Sequence, residues 1–595
     1  MADRVATLAQ GFERQTRKYG ERTFVQDKIN KQWRNHSFAS ISAAAGRLRA
    51  GLMRLGLAAG DRIGILSDNS PQWIVVDQAA LGMGAIVVPL YTTSGAEETR
   101  HVIADSGAAV VAANGANLVS KLLALAPSLP DLRAIIAIHH GAEPRPSLNG
   151  GPPVLTLDSA SADPPAALVS GSPDDLATII YTSGTTGPSK GVMLTHGNIL
   201  ANCADALEAL TLNDSDQTLS VLPIAHSFER TAGYYAVMMA GGTIAFAEGL
   251  TSIASDLQEI NPTVLLVVPR LLEAIYSRVM KQVESSPGYR RALFNAALSV
   301  GKQAAEYRHH GKRVPPELAL PMMIFRKLVF ARITGIFGTR LRYLISGGAP
   351  LPKEIFRFLA AAEVPIAEGY GLTEAAPVVS VNLDRGRTRI GTVGRALASV
   401  EVMTAPDGEL LVRGPNVMKG YYKREADTRE AIDPQGWLHT GDIASIDAEG
   451  YISITDRKKE IIVLSGGKNI SPANLETRLA TDPYIAQACV VGDRRKHLAA
   501  LLVPNFDNLS DYLKNNGLAA KQPEELVEAP AIRQLFASKI RQFNKPLSDV
   551  EAISNFTLIP HPFTQENGEL TPTLKLRRKV VQEHYREQIE SMYRD

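Results

Sequence analysis

The segment Tyr181-Thr182-Ser183-Gly184-Thr185-Thr186-Gly187-Pro188-Ser189-Lys190-Gly191 concentrates three glycines, five Ser or Thr hydroxyls and a lysine just after a run with strand character. Such a loop suits phosphate: glycines let backbone N–H groups converge on phosphate oxygens, hydroxyls add donors, and Lys190 adds charge. It is not a Walker A loop, because Ser189 precedes the lysine where that loop has glycine, and Gly191 stands where it needs Ser or Thr. Further along, Glu368-Gly369-Tyr370-Gly371-Leu372-Thr373-Glu374 sets glycines beside an aromatic ring, a hydroxyl and a carboxylate, and Gly441-Asp442 presents a loop carboxylate able to accept from two ribose hydroxyls. The last two, taken alone, are more often turns.

Six further stretches fall in the same order as the signature of adenylate-forming enzymes. They are Leu222-Pro-Ile-Ala-His226-Ser-Phe-Glu-Arg230, Ser346-Gly-Gly348-Ala349-Pro350, the Glu368 to Glu374 run, Gly436-Trp-Leu-His-Thr-Gly-Asp442, Asp456-Arg457-Lys-Lys459-Glu460 and Leu570-Thr-Pro-Thr-Leu-Lys575. With the loop they span almost the whole chain, which resembles the superfamily of acyl-CoA synthetases, luciferases and peptide-synthetase adenylation domains.

The resemblance implies roles. Thr182, Ser183, Gly184, Thr185, Thr186, Gly187 and Lys190 hold ATP phosphates, joined by Gly348, Ala349, Pro350, Glu368, Gly369, Tyr370 and Gly371 around AMP, with adenine stacking on Tyr370. Asp442 and Arg457 take the ribose, Thr373 the α-phosphate, and Glu374 with Thr185 a Mg²⁺ ion. Lys575 neutralises charge as carboxylate and α-phosphate react and pyrophosphate leaves. His226 borders the carboxylate pocket as a positioning residue and gate. Lys459 is the hinge that turns the C-terminal domain so that the loop with Gly466, Gly467 and Lys468 faces CoA for thioester formation.

The wording His226-Ser-Phe-Glu-Arg230, Val268-Pro-Arg-Leu-Leu272, Ser346 to Leu351 and Leu570 to Lys575 is similar to the long-chain acyl-CoA synthetase branch. A long fatty acid is then the expected substrate, with ATP, Mg²⁺ and CoA. An acyl carrier protein offers the same thiol as CoA and stays open as acceptor, and a noncatalytic lipid-binding relative stays open as a second class. The helical stretch from Lys281 to Arg342 also resembles that branch, and its Met322, Met323, Ile324, Phe325 and Phe330 suit either an acyl tunnel or a core.

Positioning these loops calls for α/β layers. Short β-rich runs at Arg62 to Leu66, Ala108 to Ala112, Thr178 to Tyr181, Thr263 to Val268 and Leu341 to Ile345 alternate with helical stretches. With 595 residues, the expectation is a large multi-lobed N-terminal domain, 1–456, holding ATP and the acyl group, and a small mobile α+β C-terminal domain, 457–595. The stretch Gly141 to Asp175, rich in Pro, Ser, Ala and Gly, reads as a surface connection, and the uncharged run Thr231 to Ala247 as a buried segment too short to span a bilayer.

Lys plus Arg total 63 against 61 Asp plus Glu, a balance that gives no global pull toward nucleic acid. Locally, twelve Lys or Arg against three Asp or Glu between Lys281 and Arg342 give +9, suited to an anionic membrane surface, to CoA phosphates or to a solvated face. Cys203 and Cys489 lack metal spacing and, with an N-terminus lacking an apolar export region, fit a reducing cytoplasm with peripheral contact at the inner membrane face. Oligomeric state has no signal here.

Overall fold

The computed structural model describes residues 5–139, 141–147, 151–182, 188–249, 251–383, 388–458, 460–466, 468–515, 522–571 and 576–594. The expectations placed on Ser183, Gly184, Thr185, Thr186, Gly187, Lys459, Gly467 and Lys575 lie outside the described residues.

Strands and helices alternate from Arg62 onward: strand Arg62–Leu66, helix Pro71–Gly82, strand Ile86–Leu90, helix Ala96–Ser106, strand Val110–Ala113, helix Ala116–Leu125, strand Ala134–Ala137. Parallel neighbours need such crossovers, and the strands pair in parallel. Their side chains are buried on both faces because helices cover both sides. Helix starts are chemically marked: the Ser70 side chain accepts from Trp73 N–H, and Pro71 follows in the first turn, where its missing N–H costs nothing. The sheet is closed on one side by Leu176–Thr182, which runs into the phosphate loop, and by antiparallel Lys190–Thr195, which leaves it.

A second sheet places Gln217–Ser220, Thr243–Phe246, Val264–Val267, Tyr343–Ser346 and Ile366–Gly371 in parallel, with Val378–Val381 antiparallel beside the last. A four-stranded antiparallel sheet follows, from Glu401–Thr404 to Ile452–Arg457. Beyond it, the sheet of Ile485–Val491, Leu498–Pro504 and Ile553–Leu558 packs with helices Pro472–Leu479 and Pro530–Asn544 around apolar cores of its own, giving a large N-terminal and a smaller C-terminal domain. Cys203 and Cys489 are buried and free.

Two expectations need correction. The stretch from Gly141 to Asp175 is more than a surface connection: Val154–Thr156 adds an edge strand to the first sheet, and the following residues seal helix Phe38–Arg54. Ala162 and Ala166 donate backbone hydrogen bonds to the Arg47 and Gly46 carbonyls, and a Cβ on Gly51 would lie 1.7 Å from the Ala160 carbonyl oxygen. The glycines of the helix, Gly46 and Gly51, are what lets this backbone lie flat on it. The helical stretch after Lys281 does not line an acyl tunnel with all five of its candidates. Met322 and Phe330 are buried in a core against Leu265, Val267 and Leu344, with Phe325 half-buried beside them, whereas Met323 and Ile324 face outward. Adjacent strand residues point to opposite faces, so these helices cover one side of Val264–Val267 and Tyr343–Ser346.

The run Thr231 to Ala247 is buried as expected, and it begins in a π-helical turn, Glu229–Tyr235. That turn carries a charge pair. Arg230 Nη2 lies 2.6 Å from Asp77 Oδ1, both fully buried, and Arg230 also donates to Thr178 Oγ1 (2.7 Å) and Tyr235 Oη (3.0 Å). Tyr234 and Tyr235 hydroxyls complete the shell by donating to Asp77. Removing one partner strands the other charge: Arg230→Leu and Asp77→Leu are each expected to cost about 3–5 kcal/mol in urea unfolding, and the double variant less than their sum. Additive losses would show the pair to be uncoupled.

Beside it, Glu229 accepts from the Ser220 hydroxyl (2.6 Å), and burial pushes its pKa up to about 8. The folded protein therefore holds a proton that the unfolded chain releases near the ordinary glutamate value, so this group's contribution to stability falls as pH rises from about 5 to about 8, by up to ~1.4 kcal/mol per pH unit. In urea titrations, the stability of Glu229→Gln relative to wild type should rise across that window; a constant difference would place the Glu229 pKa elsewhere.

Candidate active site

The C-terminal ends of the parallel strands open on a cavity of about 1250 Å³. Thr182 and Lys190 line it from the first sheet, Gly348, Gly369, Tyr370, Gly371, Thr373 and Glu374 from the second, His226 from the segment before the π-helical turn, and Arg457 from the third sheet. Ligand sites of open α/β sheets belong at this edge.

Strand Ile366–Gly371 ends against the turn before Val378, and the approach is tight: a Cβ on Gly371 would lie 2.0 Å from the Pro377 carbonyl oxygen. Thr373 then meets Ser227 through hydroxyls 3.0 Å apart, which joins this loop to the His226 segment. His226 Nδ1 accepts from Phe228 N–H (3.2 Å), a bond that fixes the ring plane at the cavity wall. Glu374 Oε1 accepts from the Tyr421 hydroxyl (2.9 Å), and Oε2 has no hydrogen-bond partner among the described residues. One free carboxylate oxygen, with phosphate oxygens and waters, suits Mg²⁺, which rarely demands an all-protein cage.

Lys190 Nζ forms a 2.7 Å ion pair with Asp427 Oδ1 and lies 5.1 Å from the Tyr421 ring centroid. Asp427 and Tyr421 are cavity-lining residues that motif reading missed; their signal lies in the pairing of Gly420–Tyr421 with Lys190–Thr195, which only the fold reveals. Asp442 is nearly buried and accepts from the Tyr370 hydroxyl (2.6 Å) and from Arg457 Nε (3.1 Å). Its cross-strand partner is Arg457 itself, so a β-ladder fixes the spacing of this pair. A second cluster missed in the sequence adjoins it: Glu409 accepts from Gly441 N–H and faces His439 Nδ1 and Lys458 Nζ, the last also paired with Asp407 at 2.6 Å. Burial alone would raise the Glu409 pKa, but these donors leave it below the ordinary carboxylate range.

Other expected site residues sit apart from the cavity wall. Glu368 accepts from Leu351 N–H (3.0 Å), and burial pushes its pKa up to about 7; it braces the turn carrying Gly348, Ala349 and Pro350, of which only Gly348 lines the cavity. Gly466 and Lys468 are exposed in a C-terminal turn, closed by Leu464 N–H to the Lys468 carbonyl, and do not line the cavity. The residues flanking Lys575 do: Leu570 and Thr571 before it, Leu576 to Lys579 after it. Arg578 is no solvated cation, since it grips Glu476 with Nη1 and Nη2 (2.6 and 2.9 Å) inside the C-terminal domain.

The other wall is apolar. Ala206, Ala209, Leu210, Ala232, Leu266 and Ile345 line it, and Leu266 and Ile345 face the cavity because their strand neighbours Leu265 and Leu344 face the helices. A polar end beside an apolar branch suits an amphipathic acid.

Solved structures share this fold. The adenylation domain of a carboxylate reductase from Mycobacterium chelonae superposes with a TM-score of 0.80 at 22% identity, covering 100% of this chain and 92% of that one, and the anthranilate CoA ligase AuaEII in complex with anthranoyl-AMP with 0.74 at 17%, covering 98% of each. In sequence, the chain is 35% identical to the long-chain-fatty-acid–CoA ligase FadD15 of Mycobacterium bovis over 99% of this chain and 97% of that protein. It is 32% identical to the peroxisomal long chain acyl-CoA synthetase 6 of Arabidopsis thaliana, over 99% and 87%. Residues 12–422 match the AMP-binding enzyme family and residues 459–595 its C-terminal domain, and with that full-length kinship the chain belongs to the AMP-binding enzymes.

Proposed function

We propose that this chain is a long-chain fatty acid–CoA ligase. ATP and a fatty acid yield acyl-AMP and pyrophosphate; the CoA thiol then attacks the acyl carbonyl carbon, AMP leaves and a thioester forms. The observation that carries the reading is a cavity in which Lys190, Thr373, Glu374 and Arg457 meet an apolar wall, and which Thr571 and Leu576, on either side of Lys575 in sequence, also line.

In this reading Lys190 leaves Asp427 for the β- and γ-phosphates, Thr373 donates to the α-phosphate, and Asp442, oriented by Tyr370 and Arg457, accepts from the ribose. Glu374 would hold Mg²⁺, which would supply positive charge to offset that of the phosphates. Lys575 supplies positive charge where the carboxylate oxygen attacks phosphorus. His226 orients the carboxylate, and no covalent enzyme intermediate is needed. The chain divides into 1–456 and 457–595, and rotation at Lys459 withdraws Lys575 and brings Gly466, Gly467 and Lys468 to the CoA side. The setting is the cytoplasm, with peripheral contact at the inner membrane face; no helix among the described residues is long and apolar enough to cross a membrane.

Purified protein with ATP, Mg²⁺ and acids from acetate to oleate tests the reading, with CoA or acyl carrier protein as acceptor. Pyrophosphate release peaking with long acids, and thioester on CoA, is expected. Thioester on carrier protein alone would reassign the acceptor, and no release with any acid would leave a noncatalytic lipid-binding protein. Lys575→Ala is expected to lower adenylate formation by about 10²–10³-fold while sparing thioester formation from supplied acyl-AMP. Lys459→Pro should do the reverse, and equal loss of both steps in both variants would refute the rotation.

A further inference from the structure

Residues 316–334 form one uninterrupted helical rod, built from Pro316–Phe325, the π-helical Arg326–Phe330 and Ala331–Thr334. Its inward face is apolar, with Met322, Phe330 and Ile333 in the core. A helix in that position ordinarily turns a polar face to water. Here the outward face is apolar too: Leu320, Met323, Ile324 and Leu328 are exposed by 66, 63, 57 and 56%. Their spacing, with Lys327 and Ala331 between and beyond them, is that of one stripe along a helix, so they form a contiguous surface and not scattered exposures.

The charges around the stripe are of one sign. Lys312, Arg313, Lys327 and Arg332 are exposed on the rod and on the turn leading into it, where Glu317 is the one acidic residue between 312 and 334. Arg326 is paired with Glu363. Packing a second copy against this face would bring like charges together, whereas an anionic lipid surface complements them while its acyl region accepts the stripe.

We propose that the outward stripe of the 316–334 rod seats the protein on anionic membrane, with Leu320, Met323, Ile324 and Leu328 entering the headgroup boundary and Lys327 and Arg332 meeting lipid phosphates. This rests on the ligase reading in one respect: a long-chain acid dissolves in that same lipid, so seating places the enzyme at its substrate. Across the sheet, the strands covered by this helical layer present Leu266 and Ile345 to the cavity, so the seated surface and the apolar branch share one wall.

Full-length protein is sedimented with vesicles of phosphatidylcholine, with and without phosphatidylglycerol, at low and high salt. The wild type should pellet with the anionic vesicles and less so at high salt. Leu320→Ser/Met323→Ser/Ile324→Ser should lower partitioning by about tenfold or more. Lys327→Glu/Arg332→Glu, which keeps the stripe, should weaken binding and flatten its salt dependence. Both variants should keep the wild-type melting temperature and the wild-type rate on octanoate without vesicles, and that soluble assay reads the ligase proposal separately. Wild type remaining in the supernatant, unchanged pelleting of the serine variant, or a lipid-free dimer that the serine variant dissociates would overturn the seating.

Discussion

The buried pair of Arg230 and Asp77 ties together three separate pieces of chain. Asp77 belongs to a helix of the first layer, Thr178 to the strand that precedes the Gly-rich loop, and Arg230, Tyr234 and Tyr235 to the π-helical turn that follows His226 and Ser227. Two ions taken out of water repay their desolvation only with close geometry and full hydrogen bonding, so the pair tolerates little displacement of any piece. Ser227 passes that constraint to Thr373 in the second sheet. The two sheets thereby face each other across the cavity at a set distance.

Polar groups of the cavity and just behind its wall are already engaged with protein: Lys190 with Asp427, Glu374 with Tyr421, and the buried Asp442 with Tyr370 and Arg457. Each partner orients its neighbour and spares it solvation by disordered water, which is the form of electrostatic help that costs least reorganisation when substrate arrives. Lys190 differs in kind, because in the proposed reading phosphate would replace Asp427 and not simply add to it. The apparent affinity for nucleotide is then the difference between two charge-assisted contacts.

The sequence makes the chemistry more legible than the scaffold around it. Glycines, hydroxyls and charges at Tyr181 to Gly191, Glu368 to Glu374 and Asp442 announce themselves because few other structures need that combination, and the alternating β-rich runs Arg62 to Leu66 and Thr178 to Tyr181 fall on strands. What stays hidden depends on pairing between distant segments. Tyr421 reaches the cavity on a two-residue strand, Gly420–Tyr421, too short to leave a pattern, and Asp427 on the short helix Glu425–Ala431 after it. Glu368 resembles a ligand residue in its motif yet turns inward to Leu351. Met323 and Ile324 carry tunnel-like side chains on the wrong face of a helix, and composition cannot state a face.

The strands Val264–Val267 and Tyr343–Ser346 act as a partition one layer thick, with Leu265 and Leu344 given to the helices and Leu266 and Ile345 to the cavity. Neighbouring positions along such a strand are physically separate problems. Enlarging or shrinking the cavity side leaves the helix packing behind it in place, and repacking the helices leaves the cavity wall untouched. A lineage carrying this partition can drift between acids of different shape by single substitutions, without passing through an unstable ancestor.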